Sequence, residues 1–487
     1  MTEQGQAPSA VLELAGHLSP GDKQASAYKL LPFQVPAGIA RLEVEYCFSD
    51  DEPGGFLRAA GNILDIGLFD PRGSDFLYAR GFRGWSGAAR RSFFVTPHEA
   101  TPGYLPGPIL PGEWQVLLGL YRILPEGCDY RVTVGLYEGA PEAAPAVAAA
   151  IVPTVARAAP SSLARPGWYR GDLHCHSHHS DAKGSLADLA AAARRQGLDF
   201  VAVTEHNTVS HLPHLAAHAG PDLLLIPGLE ITTERGHANA WGVRRWHEFR
   251  CESPGQMARV VDDVRAAGAL LSINHPKTGG PPWQFGGEER FDCLEVWQAP
   301  WFVFNDQALA LWDRLLRQGQ RLTAVGGSDV HQAPPGDEVE GLSLGRPCTW
   351  VYARACTEEA ILAGIRAGHV FISADPGGPR LVLTADADGD GAYEVCMGEG
   401  VAVAPGTRLR LRCEVEGATG CTLRIRSTGE DQDLEVPADR FEHTWSSPIE
   451  GDTHFRAELW LTPQDENPAV QALSNPIYVQ ATKEDSQ

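Results

Sequence analysis

The sequence predicts an α/β barrel between two antiparallel β-sandwiches, and two patterns indicate this. In the first and last parts of the chain, short runs of alternating apolar and polar residues are separated by Gly- and Pro-rich turns, which is typical of sandwiches. In the middle, unbroken apolar runs alternate with helix-like segments, which is typical of parallel βα units. The 487 residues suffice for about three domains. We expect an N-terminal β-sandwich at 1–137, a linker at 138–167, a barrel at 168–375 and a C-terminal β-sandwich at 376–487.

The first sandwich is predicted by four alternating runs. These are RLEVEYCF (41–48), NILDIGLFD (62–70), EWQVLLGLY (113–121) and DYRVTVGLY (129–137). The stretch that follows is rich in Ala, Pro and Ser and contains no aromatic residue, so we predict a linker that its prolines stiffen.

The barrel is predicted by seven buried-strand patterns. They lie at 171–176, 199–206, 222–230, 237–243, 269–275, 293–297 and 322–329. Three helix-like segments, 185–197, 254–268 and 306–319, each end on the glycine that commonly follows a helix. Seven strands in this length indicate a closed or nearly closed barrel of parallel strands.

Alternation returns after Pro376 and predicts the second, smaller sandwich. The acidic segment DADGDGAYEVCM (386–397) begins like a calcium-binding EF-hand loop, but its twelfth position is Met397 where that loop needs glutamate. We favour an acidic β-turn, with a weak calcium site as the alternative.

Composition excludes several classes of function. The chain has 40 Lys+Arg and 62 Asp+Glu, a formal net charge of −22, which opposes binding to extended nucleic acid or an anionic membrane. No apolar run is long enough to span a membrane, and the first residues lack a signal-peptide pattern, so we expect a cytoplasmic protein. The ten cysteines form no CxxC motif, which favours reduced and mostly buried thiols.

Side chains that can bind metals lie at or beside the ends of six predicted barrel strands. They are His174, His176, Asp181, His206, Glu230, His237, His275, Asp329 and His331. In a βα barrel the carboxyl ends of the strands converge on one face. The His174-x-His176 spacing puts both imidazoles on one side of an extended strand, and the same holds for Asp329-x-His331 if the chain stays extended there.

A single strand-end histidine is usually structural, but nine such residues together favour a metal site with several ions. Imidazole and carboxylate groups suit Zn, Mn or Fe. Three further histidines, at positions 211, 214 and 218, have helical spacing, and we expect them on a solvated helix face.

The ordered motifs DLHCHSHHSD, VAVTEHNT, PGLEITTERGHANAWG, SINHP and GGSDVH resemble those of the PHP (polymerase and histidinol phosphatase) superfamily. The resemblance covers about 168–375 and implies a (β/α)7 barrel with two or three divalent ions. GLEITT, GHANAWG, LEVWQ and AVGGSDVH, together with FRGWSG and ATPGYLPGPI upstream, are similar to the CehA/McbA branch, named for carbaryl hydrolases.

The resemblance also implies how the ligands divide among the ions. His174, His176, Glu230 and Asp329 would bind one ion; Glu230, His237 and His275 a second; Asp181, His206 and His331 a third. The motifs depart from the usual pattern twice, with Ser180-Asp181-Ala182 in place of Ser-Asp-Gly and Thr204-Glu205-His206 in place of Thr-Asp-His.

We therefore expect a hydrolase in which a hydroxide bridging two ions attacks the substrate, with Glu230 and Asp329 as catalytic ligands. The favoured substrate is a small phosphoester, mono- or diester, which Lys277 or Arg244 would contact. The alternative is an aryl carbamate or carboxylic ester, for which Trp241, Trp283, Trp297 and Trp301 would wall an apolar pocket. His179 and His211 are candidate acids for the leaving group. A non-catalytic binding protein is a minor alternative, which the intact ligand set argues against.

Overall fold

The structure is a computed structural model of the chain. It describes residues 7–50, 61–139, 165–331, 343–429, 431–461 and 468–482. Most of the predicted linker, 140–164, lies outside the described residues. Within them, no helix is long and apolar enough to cross a membrane. The ten cysteines form no disulfide and eight of them are buried, which confirms the expected buried thiols.

The N-terminal segment forms two four-stranded antiparallel sheets. Its elements are β1 (Ala10–Leu18), α1 (Pro20–Ala25), β2 (Tyr28–Val35), β3 (Ile39–Phe48), β4 (Ile63–Phe69), β5 (Phe82–Gly87), β6 (Ser92–Val95), β7 (Gly112–Arg122) and β8 (Cys128–Glu138). The strand orders are β1-β8-β3-β6 and β2-β7-β4-β5. Both sheets contribute to one core that contains Val44, Leu64, Ile66 and Trp114, because alternate residues of each strand point to the same face.

The central segment contains all seven predicted strands and the three predicted helices. Its elements are β9 (Gly167–Cys175), α2 (Leu186–Arg195), β10 (Phe200–Val203), α3 (Leu215–His218), β11 (Leu224–Thr233), β12 (Gly236–Trp241), α4 (Pro254–Ala266), β13 (Leu270–Asn274), β14 (Cys293–Gln298), α5 (Asn305–Arg317), β15 (Thr323–Gly327), β16 (Cys348–Ala353), α6 (Glu358–Arg366) and β17 (Val370–Ser373). Short 3-10 turns lie at Leu212–His214 and Glu288–Arg290. The hydroxyls of Ser185, Ser253 and Thr357 cap α2, α4 and α6.

One strand runs in the direction opposite to the prediction. The strands follow the order β15-β14-β13-β12-β11-β10-β9, but β12 is antiparallel to both β11 and β13. Only Glu234 and Arg235 separate β11 from β12, and so short a connection can join only antiparallel strands. His237 at the start of β12 therefore lies at the same end of the sheet as the other predicted ligands.

The first and seventh strands meet at that same end. Cys175 and Val330 form an isolated parallel bridge, and the Asp329 amide donates to the His174 carbonyl at 2.7 Å. The pairings of the described residues include no full ladder between β9 and β15, and β16 pairs with β9 instead.

The C-terminal segment continues the central sheet across the boundary expected at 375/376. Its strands are β18 (Arg380–Asp386), β19 (Val395–Cys396), β20 (Gly400–Val403), β21 (Arg408–Glu416), β22 (Thr422–Arg426), β23 (Gln432–Glu435), β24 (Arg440–Pro448), β25 (Thr453–Leu461), β26 (Ala469–Ser474) and β27 (Ile477–Ala481). A separate sheet has the order β19-β18-β21-β24, whereas β26 pairs with β17 and leads to β25, β22 and β23. The central and C-terminal segments thus share one sheet.

The acidic segment 386–397 connects the antiparallel pair β18 and β19. Asp386 accepts hydrogen bonds from the amides of Gly389 and Gly391 and forms an ion pair with Arg410. Asp386, Asp390 and Glu394 lie near one another. The Asp386 carboxylate, however, already accepts the hydrogen bonds of the turn. These contacts favour the acidic β-turn.

Arg456 of β25 ties the C-terminal segment to α5. Its guanidinium is fully buried and contacts the carboxylates of Glu458 and Asp313. Breaking a buried ion pair from one side leaves an uncompensated charge in a medium of low polarity.

We expect Arg456→Met to lower the free energy of unfolding by about 3–5 kcal/mol, because the buried Glu458 loses its nearest cation and keeps only the Trp460 indole and Arg426, which is 3.8 Å away. The matched control is Arg424→Met, which breaks the half-exposed Arg424–Asp433 pair and should cost at most about 1 kcal/mol. Urea titration of the full chain measures both, and equal losses would contradict the role assigned to Arg456.

Candidate metal centre

The structure brings all nine predicted ligands together at one end of the central sheet. They fall into three adjoining groups, which we number for reference. Group 1 comprises His174, His176, Glu230 and Asp329; group 2 comprises Glu230, His237 and His275; group 3 comprises Asp181, His206 and His331, with His176 beside them.

In group 1, two carboxylates face the imidazoles of the first strand. His174 Nε2 lies 3.3 Å from Glu230 Oε1 and 3.3 Å from Asp329 Oδ1. His176 Nε2 lies 3.0 Å from Asp329 Oδ1 and 3.8 Å from Glu230 Oε2. Both imidazoles share the same carboxylates because β9 is extended and places alternate side chains on one face.

Group 2 uses the same Glu230 carboxylate. His237 Nδ1 lies 3.2 Å and His275 Nε2 lies 3.5 Å from Glu230 Oε1. Glu230 is fully buried, and the Asn274 amide donates to the same oxygen at 3.0 Å. The carboxylate therefore lies between groups 1 and 2.

In group 3, Asp181 Oδ1 lies 3.2 Å from His331 Nε2 and 3.5 Å from His206 Nε2. The two imidazole nitrogens are 3.3 Å apart. His206 Nδ1 lies 2.6 Å from Glu230 Oε2 and 2.7 Å from the Thr232 hydroxyl, so His206 also contacts the carboxylate of the other groups.

The chain does not stay extended at Asp329. Its φ is +52°, a left-handed conformation that is costly for a residue with a side chain. As a result Asp329 contacts His174 and His176 in group 1, whereas His331 contacts Asp181 in group 3. The condition under which both side chains would point to one side of a strand, an extended chain at Asp329, is therefore not met. His275 is similarly strained, with φ at +27°.

The electrostatics of the three groups fit divalent cations. Burial disfavours the charged forms of Glu230 and Asp329, but neighbouring histidines, His174 foremost, hold the pKa of both carboxyls well below the usual range. Burial also opposes the charge of His331, yet Asp181 raises the pKa of this imidazole to about 10. The carboxylates of Glu230 and Asp329 are thus stabilised by neighbouring positive charge. His174 Nε2 has no hydrogen-bond partner among the described residues. Imidazole nitrogens and carboxylate oxygens with this arrangement are ligands for Zn, Mn or Fe.

Several supporting residues were missed by the sequence analysis. Glu295 accepts from His174 Nδ1 at 2.9 Å and from the His275 amide at 2.9 Å. The Gln298 amide donates to Asp329 Oδ2 at 3.1 Å. Both lie in the LEVWQ run, where a register shift between Glu295 and Trp297 interrupts the period-two alternation, so that both side chains contact group 1. The sequence offers a signal only for Glu295, a carboxylate within an apolar strand. Such contacts fix imidazole orientation in metal sites.

Glu205, which departs from the usual motif, faces away from the three groups. Its carboxylate accepts hydrogen bonds from the Ser177 amide and hydroxyl and from the Ser180 hydroxyl. Burial raises its pKa to about 7, against the lowering effect of these hydrogen bonds. The longer side chain therefore braces the loop between His176 and Asp181.

Of the three predicted substrate contacts, Lys277 and Trp283 lie beside the metal centre and Arg244 does not. The ammonium of Lys277 is buried and donates to the Gln298 carbonyl at 2.8 Å and to Asn305 Oδ1 at 2.7 Å. Burial lowers the pKa of Lys277 to about 8, while the nearby carboxylates of Glu295 and Asp329 act in the opposite direction. Lys277 therefore lies near group 1, and two of the three N–H donors of its ammonium are already used. Trp283 packs against Gly236, next to His237.

Arg244 is not at the centre, which corrects the prediction. Because β12 is antiparallel, the residues after its carboxyl end lie at the opposite end of the sheet from His237. There Arg244 pairs with Glu358 of α6 at 2.5 Å.

The two candidate acids are also placed against expectation. His179 donates to or accepts from the Ser210 hydroxyl at 2.8 Å, and burial lowers its pKa to about 2. His211 is fully buried rather than on a solvated helix face, and burial lowers its pKa to about 3. With pKa values this low, neither imidazole is cationic at neutral pH, which argues against both as general acids.

Of the other tryptophans proposed for an apolar pocket, Trp241 and Trp297 are core residues. Their indole nitrogens donate to the carbonyls of Leu173 and Ala299. Trp301 packs on Trp460 of the C-terminal segment.

Comparison with known proteins agrees with this geometry over part of the chain. Residues 172–264 match the PHP domain. This PHP segment contains six of the nine ligands, namely His174, His176, Asp181, His206, Glu230 and His237, and ends before the other three. No curated protein matches the chain. The CehA/McbA branch expected from the sequence stays a prediction.

Two solved structures show distant likeness. A two-domain protein from Bacteroides vulgatus ATCC 8482, described as containing a predicted PHP-like metal-dependent phosphoesterase, is 17% identical, covers 67% of this chain and 99% of its own, and has a TM-score of 0.38. An amidohydrolase from Chromobacterium violaceum is 18% identical, covers 35% of this chain and 89% of its own, and has a TM-score of 0.25. With TM-scores this low, neither likeness bears on the function of this chain.

We expect Glu230→Ala to remove the ions of both groups that share this carboxylate, whereas Asp181→Ala removes only the ion of group 3. Metal analysis of protein purified with Mn²⁺ or Zn²⁺ gives the number of ions per chain. Asp386→Ala, in the acidic turn, is the control and should leave this number unchanged. Equal metal content in Glu230→Ala and the wild type would refute the shared ligand.

Replacing Glu205 by alanine should weaken the group 3 ion by about 10–100-fold, because Ser177 and Ser180 lose their acceptor and the loop that bears Asp181 loosens. Calorimetric titration with Mn²⁺ measures the change. Glu205→Gln retains an acceptor oxygen and should show a smaller loss; an unchanged affinity in Glu205→Ala would contradict the bracing role.

Proposed function

We propose that this protein is a metal-dependent hydrolase that cleaves a small phosphoester, either a monoester or a diester. The supporting observation is the set of three adjoining ligand groups, with Glu230 between groups 1 and 2 and in contact with His206 of group 3. When bound, divalent ions supply a Lewis acid for the ester oxygen and lower the pKa of a water nucleophile.

The ligand arrangement favours a phosphoester over a carbonyl ester. A phosphoryl group offers several charged oxygens, which match three neighbouring cation sites, whereas a carbonyl ester offers a single oxygen at which charge develops. The Lys277 ammonium adds a further positive charge close to Asp329. Fixed positive charge of this kind stabilises the negative charge of a phosphoryl transition state.

The side chains of this protein hold the site in place. The Gln298 amide donates to the Asp329 carboxylate and so orients it, and the Glu295 carboxylate fixes the ring of His174. Glu230, Glu295 and His174 are all nearly or fully buried, so bulk water is kept from these three side chains and electrostatic effects among them are strong. Asp181 and His331 of group 3 are partly exposed. No serine or cysteine nucleophile is required: Cys175, between the two first-strand ligands, is fully buried and its thiol contacts the Ala202 carbonyl.

An aryl carbamate or carboxylic ester is the second candidate substrate. It is favoured by aromatic side chains that border the centre, with Trp283 against Gly236 and the half-exposed Phe304 facing Gly279. Gly280, the next residue, lies against the ring of His275. These rings could contact an apolar leaving group.

The test is an assay of metal-loaded protein with aryl phosphate mono- and diesters beside a naphthyl methylcarbamate and a naphthyl acetate. We expect the phosphoesters to be hydrolysed faster, and all activity to be lost in Asp329→Ala because His174 and His176 lose their shared carboxylate. The Asp386→Ala variant serves as the control. Faster turnover of the carbamate would favour the second candidate, and full activity in Asp329→Ala would exclude this centre as the catalytic site.

A further inference from the structure

The turn between β5 and β6 reaches the loop that carries Asp181. Arg90 lies in this turn, and its guanidinium donates to the Ser180 carbonyl at 2.7 Å and also to the His178 carbonyl. These carbonyls belong to the residues one and three positions before Asp181. A guanidinium suits this task because its planar fork donates to two acceptors at once, and its charge strengthens both hydrogen bonds. Arg90 therefore connects the N-terminal segment directly to the loop that carries a ligand of group 3.

The buried Glu205 holds the same loop from the interior of the central segment. Its carboxylate accepts from the Ser177 amide at 3.0 Å and from the Ser180 hydroxyl. Ser180 is thus held twice, by its hydroxyl to Glu205 and by its carbonyl to Arg90. Because Asp181 follows Ser180 directly, the position of its carboxylate depends on both contacts.

A second contact of the N-terminal segment reaches the loops after β9 and β10. Gly103, between β6 and β7, donates from its amide to the Ser210 hydroxyl at 2.9 Å, and its carbonyl accepts from the Thr208 hydroxyl at 2.7 Å. Ser210 in turn pairs with His179 Nδ1 at 2.8 Å. Thr208 lies two residues after the ligand His206. Gly103 therefore contacts the loop that follows His206 and, through Ser210, the loop after β9.

The backbones approach closely at Gly103, where a side chain would not fit. Its φ is +101°, and a β-carbon there would lie 3.0 Å from the Trp85 carbonyl oxygen and 3.1 Å from the His179 carbonyl oxygen. Gly103 belongs to the run ATPGYLPGPI, and Arg90 follows the run FRGWSG (82–87). The two upstream runs that the sequence analysis singled out thus lie beside the ligand loops of group 3.

Group 3 depends more on such contacts than the other groups. The Asp181 side chain is 44% exposed, whereas that of Glu230 is fully buried. An exposed side chain is not held in place by packing, so its position depends on the backbone that carries it. In group 1, by contrast, Glu295 fixes His174 from within the central segment.

We propose that Arg90 is a positioning residue of the metal centre: it holds the loop that carries Asp181 and thereby raises the affinity of group 3 for its ion. Groups that orient metal ligands from outside commonly have this effect. The N-terminal segment thus decides whether the centre holds its third ion at a given metal concentration. The inference rests on the metal dependence of the proposed function and is independent of the substrate.

The experiment is a calorimetric titration of the full-length protein with Mn²⁺. The group 3 ion is identified as the one that Asp181→Ala does not bind. We expect Arg90→Ala to weaken this ion about tenfold and to leave the ions of groups 1 and 2 unchanged. Arg90→Lys keeps the positive charge but not the planar fork, so it should show a smaller loss. Circular dichroism shows whether each variant folds, and Arg90→Lys is the test if Arg90→Ala does not.

Two further variants separate this role from a general loosening of the structure. Lys23→Ala removes another polar contact between the same two segments, the ion pair with Glu234 at 2.9 Å, and should leave the group 3 ion unchanged. In the double variant Arg90→Ala/Glu205→Ala, the loss of affinity should be smaller than the product of the two single losses, because both residues hold Ser180. A loss equal to that product would contradict the shared loop.

The inference and the proposed function fail in different ways. If Arg90→Ala binds the group 3 ion as tightly as the wild type, or weakens all three ions equally, the positioning role is refuted and the proposed function stands. Equal ion numbers in the wild type and Asp181→Ala would also refute it, since group 3 would then hold no ion. If three ions bind but no phosphoester is hydrolysed, the proposed function fails and the titration alone decides the role of Arg90.

Discussion

The carboxylate of Glu230 is fully buried, and the rest of the candidate centre is arranged around it. One oxygen faces His174, His237 and His275, and the other faces His206. An isolated carboxylate in such a place costs several kcal/mol unless positive charge accompanies it. The histidines supply some of that charge when protonated, and divalent cations supply it without a proton. The need to neutralise this one group explains why so many imidazoles lie close together.

Backbone conformations that are costly by themselves hold this arrangement. Asp329 and His275 both have positive φ, at the ends of β15 and β13. Strain of this kind persists only where the surrounding structure fixes it. Here the Asp329 amide donates to the His174 carbonyl, and the His275 amide donates to Glu295. The strain redirects each side chain from its strand towards the shared carboxylates.

Two further buried carboxylates, those of Asp172 and Glu205, stabilise the backbone that carries the candidate ligands without contacting the ligand groups themselves. Asp172 accepts from the amides of His174, Ser328 and Gly345, and so joins the first strand to the segments after the seventh. Glu205 holds the loop before Asp181 from inside, while Arg90 of the N-terminal segment donates to the carbonyls of His178 and Ser180 from outside. The loop that bears one ligand of group 3 is therefore fixed by two segments of the chain, and the N-terminal sheets are part of the site as well as of the fold.

The sequence by itself determined which nine residues are the candidate ligands and which strands carry them. It could do so because period-two alternation and strand ends are local properties, and His174-x-His176 on an extended strand leaves little freedom. The resemblance also implied how the ligands divide into three groups, and only the tertiary structure decided the backbone geometry that produces this division. The two-residue connection between β11 and β12 reverses β12, which keeps His237 at the centre and moves Arg244 to the far end. The left-handed turn at Asp329 separates it from His331. The contribution of Arg90 depends on contacts with residues about ninety positions away along the chain, and no local pattern encodes which distant segments pack together.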